Sequence, residues 1–206
     1  MGFLDTVLGR SRPVRPDLDR LFGLPGAAIT LRAGAGFVPT GTGSVCFAAV
    51  EGGAFARLKE EVRSLLDVDE GVAGGPVAYS GDAYGYTWLT VRRPGDDLVT
   101  LVNDLHAVNT LLQEAGFGPN LLCSLAVFRA EEGGGDGEGR GARDLALVYL
   151  YKRGTFYPFA PYGDRAETRD NVLELQVRAL LADDLAVEPE TDRWFPVWGA
   201  PGLGGG

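Results

Sequence analysis

Apolar residues recur every three or four positions in three long stretches of the 206-residue chain. In residues 53–66, Phe55, Leu58, Val62, Leu65 and Leu66 share one face, with Arg57, Lys59, Glu60, Glu61 and Arg63 around it. That pattern is an amphipathic helix laid on a core. Residues 97–115 carry a stripe of Leu98, Leu101, Leu105, Val108 and Leu112, opened by Asp96 as N-cap and stopped by Gly116. A third helix is predicted near 167–182, announced by Asp164 and Glu167, with Val172, Leu173, Val177, Leu180 and Leu181 turned inward. Two shorter pieces also have helical spacing: 3–9, through Phe3, Leu4, Val7 and Leu8, and 17–24, closed by Pro25 and Gly26.

Strand patterns fill the intervals. AAITLR at 27–32, SVCFAAV at 44–50, VAYS at 77–80, YTWLTV at 86–91, and the apolar runs 120–129 and 144–151 read as strands, with 77–80 paired to 86–91. The stretch AGAGFVPTGTG at 33–43 reads as a turn-rich connection. It is no phosphate loop, because a Lys-Ser/Thr pair and a helix N-terminus are missing where such a loop needs them. GFGPNLLCSLAVF in the second half echoes the earlier GFVPTGTGSVCF, a hint of an internal strand-strand-helix repeat. Residues 130–141, AEEGGGDGEGRG, are an acidic low-complexity insert between two apolar strands and predict a mobile hairpin loop.

Strands that come in pairs between helices predict an α+β fold. The sheet is expected to be one curved, mainly antiparallel layer built from hairpins, with helices 53–66, 97–115 and 167–182 covering one face. By loose analogy this order resembles secretion-chaperone-like domains, whose exposed sheets hold client segments. The division that follows is an N-terminal helical arm (1–24), a single α+β domain (25–187) and a Trp-rich tail (188–206) laid across it.

Charge narrows the functional classes. Lys and Arg number 19 against 28 Asp and Glu, giving a net charge of -9, so general affinity for nucleic acid is not expected. With only Cys46 and Cys123 available, neither a disulfide framework nor a thiolate metal site is predicted; buried free thiols in a reducing cytoplasm are. No apolar run has the length of a membrane span. The apolar face of 3–9 beside Arg10, Arg12 and Arg15 suits either docking on the domain or a weak peripheral membrane contact. His106, the single histidine, has no triad or metal partners in the pattern, and a helix-surface or boundary position is expected for it. No catalytic residue, metal or cofactor is therefore predicted.

One stretch does suggest a binding surface. YLYKRGTFYPFAP at 149–161 sets Lys152 and Arg153 inside the densest aromatic run. Gly154 suits a hairpin turn, so the cations should be exposed at its tip. Beside Tyr151, Phe156, Tyr157 and Phe159 they would suit an acidic protein face, a lipid phosphate or a nucleotide phosphate. Trp194 and Trp198 of the tail are further partner-binding candidates. The rival reading is a phosphate- or nucleotide-binding sensor or enzyme using Lys152, Arg153 and Arg169.

Several segments together are similar to one family: MGFLDTVLGRSRP, GSVCFAAVEGGAF, YGYTWLTV, DLHAVNTLLQEAGFGPNLLCSL, LALVYLYKRGTFYPFAP, RDNVLELQV and RWFPVWGAPGL. They resemble the PspA-associated protein PspAB family. The resemblance implies a small cytoplasmic, non-enzymatic accessory of the phage-shock, membrane-stress system. It implies PspA, a coiled-coil protein that coats damaged membranes, as partner, with a membrane metalloprotease of the HtpX type often encoded nearby. No catalytic motif of the family carries over to residues here.

Overall fold

The computed structural model describes residues 16–48, 52–66, 77–131, 143–162 and 167–203. Its strands are β1 Phe37–Ala48, β2 Ala78–Gly81, β3 Tyr86–Arg92, β4 Leu121–Ala130, β5 Asp144–Leu150 and β6 Thr155–Phe159. Its α-helices are α1 Leu24–Ala35, α2 Gly53–Leu66, α3 Leu98–Leu112 and α4 Asn171–Leu180. The strands form one sheet in the order β2-β3-β1-β4-β5-β6, every neighbouring pair antiparallel. This is the expected α+β architecture. Strand β5 is buried from Leu145 to Tyr149, as a continuous apolar run inside a two-sided layer must be.

One face of the sheet meets the helices. Phe47, Leu89, Val91, Leu121, Phe128, Leu145, Leu147 and Tyr149 pack there with Leu101, Val102, Leu105 and Val108 of α3 and Leu24 and Leu31 of α1. The α3 stripe is buried as its spacing predicts, from Leu98 to Leu112. The cap lies one residue later than expected, at Asp97, whose carboxylate accepts the Thr100 N–H at 3.1 Å. Gly116, at φ 86°, ends the helical run through a wider turn over Gln113–Phe117.

Residues 27–32 are not a strand. They lie in α1, because Leu24, Ala27, Ala28 and Leu31 bury a face at i, i+3, i+4 and i+7. Ile29 and Thr30 suggested a strand, yet Ile29 is 74% exposed. Pro25 opens this helix rather than closing the one before it, since the first turn has no use for the missing N–H. The 3-10 turn Leu18–Gly23 runs directly into α1 and buries Leu21, while Asp19, Arg20 and Phe22 stay exposed.

The turn-rich stretch 33–43 is corrected too: past the helix stop at Gly36 it is already β1. Its glycines admit neighbours. Gly41 sits at φ 77°, where a Cβ would lie 1.9 Å from the Arg93 carbonyl oxygen, and a Cβ on Gly43 would crowd Leu101 and Leu105 at 3.1 Å. These positions let α3 and the β3–α3 connection close on the sheet. Helix α4 starts at Asn171, capped by Asp170 through the Leu173 N–H. Glu167 is in a turn at φ 51°, and Val172 is exposed, while Leu173, Val177 and Leu181 are buried. The acidic insert from 132 on, the helical pattern 3–9, and Asp164 lie outside the described residues.

The opposite face of the sheet is not open. After a parallel bridge between Phe156 and Val187, residues 188–203 cross it and pack Trp194, Val197 and Ala200 on Cys46, Trp88, Cys123, Leu125, Val127, Tyr157 and Phe159. The exposed sheet that the chaperone analogy implied is therefore covered, in large part, by the chain itself.

Candidate functional site

The β5–β6 hairpin turns where expected, with Gly154 at φ 65° and its N–H on the Leu150 carbonyl. Its aromatic side chains point inward. Tyr151, Phe156, Tyr157 and Phe159 are all buried, and so is Trp194; Trp198 is half-buried. Alternation sends Phe156 to the helix side, against Tyr149 at 5.1 Å between ring centres. It sends Tyr157 and Phe159 to the other side, where they meet Trp194 at 6.1 Å and Trp198 at 4.9 Å. The expectation of a displayed aromatic hairpin is thus corrected: a strand inside a two-sided layer has no solvent face to display.

The two cations of the turn differ. Lys152 is exposed. Arg153 grips Glu188, Nε to Oε2 at 2.5 Å and Nη2 to Oε1 at 3.1 Å, with the Thr155 hydroxyl donating to the same carboxylate at 2.7 Å. Glu188 is fully buried. Burial pushes its carboxyl up, and the Arg153, Thr155 and Glu190 N–H donors outweigh that push, holding it below the usual carboxylate range. Arg169, the third cation of the phosphate reading, is committed to buried Glu174 at 2.8 Å, donates to the Trp194 carbonyl and lies 5.1 Å over the Phe159 ring. Burial raises the Glu174 carboxyl despite these partners.

Between the C-terminal segment and the sheet lies a cavity of about 730 Å³. Cys46, Cys123, Trp88 and Tyr157 line it from the sheet, Phe195, Val197 and Trp198 from the C-terminal segment, and Lys152 and Arg153 from the hairpin turn. The two thiols are direct partners across the β1–β4 ladder. Both are free and buried, as expected. A hydrogen-bonded contact with Cys123, and then burial, push the Cys46 thiol far up, so Cys46 is a protonated side chain at neutral pH.

The β2–β3 turn completes the lining. Asp82 Oδ1 accepts the N–H groups of Tyr84 and Tyr86, each at 2.9 Å, and Oδ2 accepts Trp88 Nε1 at 2.8 Å. Burial works against the charge, but the Trp88 bond and then the backbone donors keep this carboxylate below its ordinary value. The tightened turn presents Tyr84 and Tyr86 to solvent at 53% and 41% exposure, and Phe195 stands beside them at 61%. Sequence reasoning missed these residues. The signal was a D-x-Y-G-Y spacing, an Asp able to accept backbone N–H groups and a glycine for the turn, followed by aromatics too close to the loop to be buried.

His106 lies elsewhere, on α3, stacked on Phe22 at 4.9 Å with Nε2 3.3 Å from Asp19. Among the described residues, no group of three or more His, Cys, Asp and Glu side chains could hold a metal ion, and no helix is long and apolar enough to cross a membrane.

Comparison with curated proteins and with solved structures gave no match. The family model PspAB, described as PspA associated protein B, matches residues 1–202, nearly the whole chain. The match runs through both halves of the sheet and the C-terminal strap, and the chain belongs to the PspA associated protein B family.

Proposed function

We propose that the protein is a non-enzymatic accessory of the PspA-based membrane-stress response, working in the cytoplasm by contact with a PspA-type coiled coil. The family match ties it to PspA. The observation that supports a contact role is the cavity mouth, where Tyr84, Tyr86 and Phe195 stay exposed beside Lys152. Aromatic side chains bordering a concave apolar surface are the usual anchors of protein interfaces. Lys152 adds a positive point for an acidic helix. A membrane metalloprotease remains a second partner implied by the resemblance alone.

The phosphate-sensor reading is less well supported. Two of its three cations, Arg153 and Arg169, are held by buried carboxylates, and withdrawing either would leave an unpaired charge behind.

The test is capture of purified PspA on the immobilised full-length chain. Tyr84→Ala combined with Phe195→Ala should lower retention at least tenfold, as loss of central aromatic anchors does. Undiminished capture by the double variant would remove this surface from the proposal. A thermal-shift screen with nucleotides and phosphorylated metabolites addresses the rival, since a ligand at a hundred times its Kd adds about 2.7 kcal/mol.

A further inference from the structure

The cavity is larger than a partner's anchoring side chain requires. Its volume of about 730 Å³ falls among sites that enclose whole small molecules. What it could enclose follows from which wall atoms still have hydrogen bonds to give. Trp88 Nε1 is spent on Asp82, the Tyr157 hydroxyl on the Phe195 carbonyl at 2.7 Å, and the Tyr84 hydroxyl on Glu167 at 2.7 Å. Asp82 is filled by Trp88, Tyr84 and Tyr86. The thiols face each other. Against this sheet-side wall a sugar or a base would have to give up its water without replacement, which is costly. A hydrocarbon chain loses nothing there.

Charge at the lining is as selective. Arg153 is held by Glu188, and Arg193 pairs with Glu190 at 2.8 Å. Lys152 lines the same space and has no ion pair with any described residue. An apolar body with one anionic end would satisfy both features.

We infer that the cavity between the sheet and the C-terminal segment binds a single-chain anionic amphiphile, its hydrocarbon chain against Cys46, Cys123, Trp88 and Trp198 and its head at Lys152. The head group is a carboxylate or a phosphate, as in a long-chain fatty acid or a monoalkyl phosphate. The inference goes beyond the contact role, and its test contains no PspA, so either can fail without the other.

The experiment is displacement of a dansyl-labelled undecanoic acid from the full-length protein, followed by the probe's emission and by tryptophan fluorescence. Palmitate and dodecyl phosphate are the anionic competitors, and dodecyltrimethylammonium is the cationic control. Both anions, or one of them, should displace the probe, and the comparison identifies the head group. Affinity within an alkyl series should rise about fourfold per methylene until the cavity is full. Lys152→Glu, an exposed change that leaves the fold intact, should weaken anion binding about tenfold and spare the cation. The proposal is overturned if nothing displaces the probe, or if cation and anion compete equally with and without Lys152. Probe binding seen only after Phe3→Glu with Leu4→Glu would assign the cavity to the chain's own N-terminal residues and overturn it as well.

Discussion

The two faces of the sheet are closed by different means. On the helix side, Phe47, Phe128, Leu105 and Val102 are at 0 or 1% exposure, and the polar side chains of α3 there are tied down: Asp104 to Arg93 at 2.6 Å and Asn109 to Ser124 at 2.8 Å. On the other side a strap without regular secondary structure, apart from one short 3-10 turn at Thr191–Arg193, does the covering. It is fastened at its start by Glu188 and Arg153, tied to the segment just ahead of α4 by the Arg169 bond to the Trp194 carbonyl, and it leaves a cavity with aromatic edges. Side chains on helices interlock along the whole length of a face, whereas an irregular strap is held at points. The helix side is therefore closed along its length, and the strap side is closed at points with a cavity left between them.

Core truncation should separate the faces most strongly. Phe128→Ala is expected to cost about 3 to 5 kcal/mol, against about 1 kcal/mol for Val197→Ala under the strap, both read from urea denaturation midpoints. Equal losses would mean that the strap is packed as tightly as the helices.

Next in size is the strap's fastening. Arg153→Ala leaves Glu188 buried without its cation; because the guanidinium is 29% exposed, the fall in the urea midpoint is expected to be smaller than for Phe128→Ala, and smaller than for breaking a fully buried pair. The pH dependence has a definite sign. Glu188 is held below its ordinary value of 4.5, so its contribution is present above that value and is lost as pH falls through the lower folded-state value. Thermal midpoints of the wild type should drop across this acid range, and those of Arg153→Ala should drop less from a lower start. Glu174, raised by burial, acts in the opposite direction, its contribution falling as pH rises through its folded-state value.

A smaller effect belongs to the rim. Asp82→Asn keeps an oxygen for the Tyr84 and Tyr86 N–H groups but sets an amide against Trp88 Nε1, and about 1 kcal/mol is expected from thermal melts. Smallest of all, Tyr84→Ala with Phe195→Ala should leave the thermal midpoint close to that of the wild type, since both side chains already stand in solvent. A large loss would place them in the fold rather than on the binding side.

The sequence disclosed the helix side more fully than the strap side. The stripe of α3 and the apolar run of β5 are periodic, and periodicity is what burial against one regular layer writes into a chain. In residues 27–32 the β-branched Ile29 and Thr30 have strand propensity, but the burial spacing of Leu24, Ala27, Ala28 and Leu31 makes the segment a helix. The echo between the two halves held the correction: Gly36 and Gly116 both stop helices at positive φ, and each is followed by a strand carrying a cysteine. Those strands pair, which sets Cys46 on Cys123. The cavity left no such trace. It arises where Asp82, Lys152 and Phe195 come together from three separated segments, and only long-range pairing and the path of the strap bring them near. The aromatic hairpin misled for the same reason, because aromatics destined for the second face look, in sequence, like aromatics destined for a partner.

The division of labour between the faces can be observed directly by hydrogen–deuterium exchange of the full-length protein with and without purified PspA. Slowed exchange is expected in the β2–β3 turn, residues 82–86, and in the strap, residues 193–198, with the outer surfaces of α1, α3 and α4 unchanged. Protection confined to those helices, with the turn and the strap exchanging as in the free protein, would contradict the account.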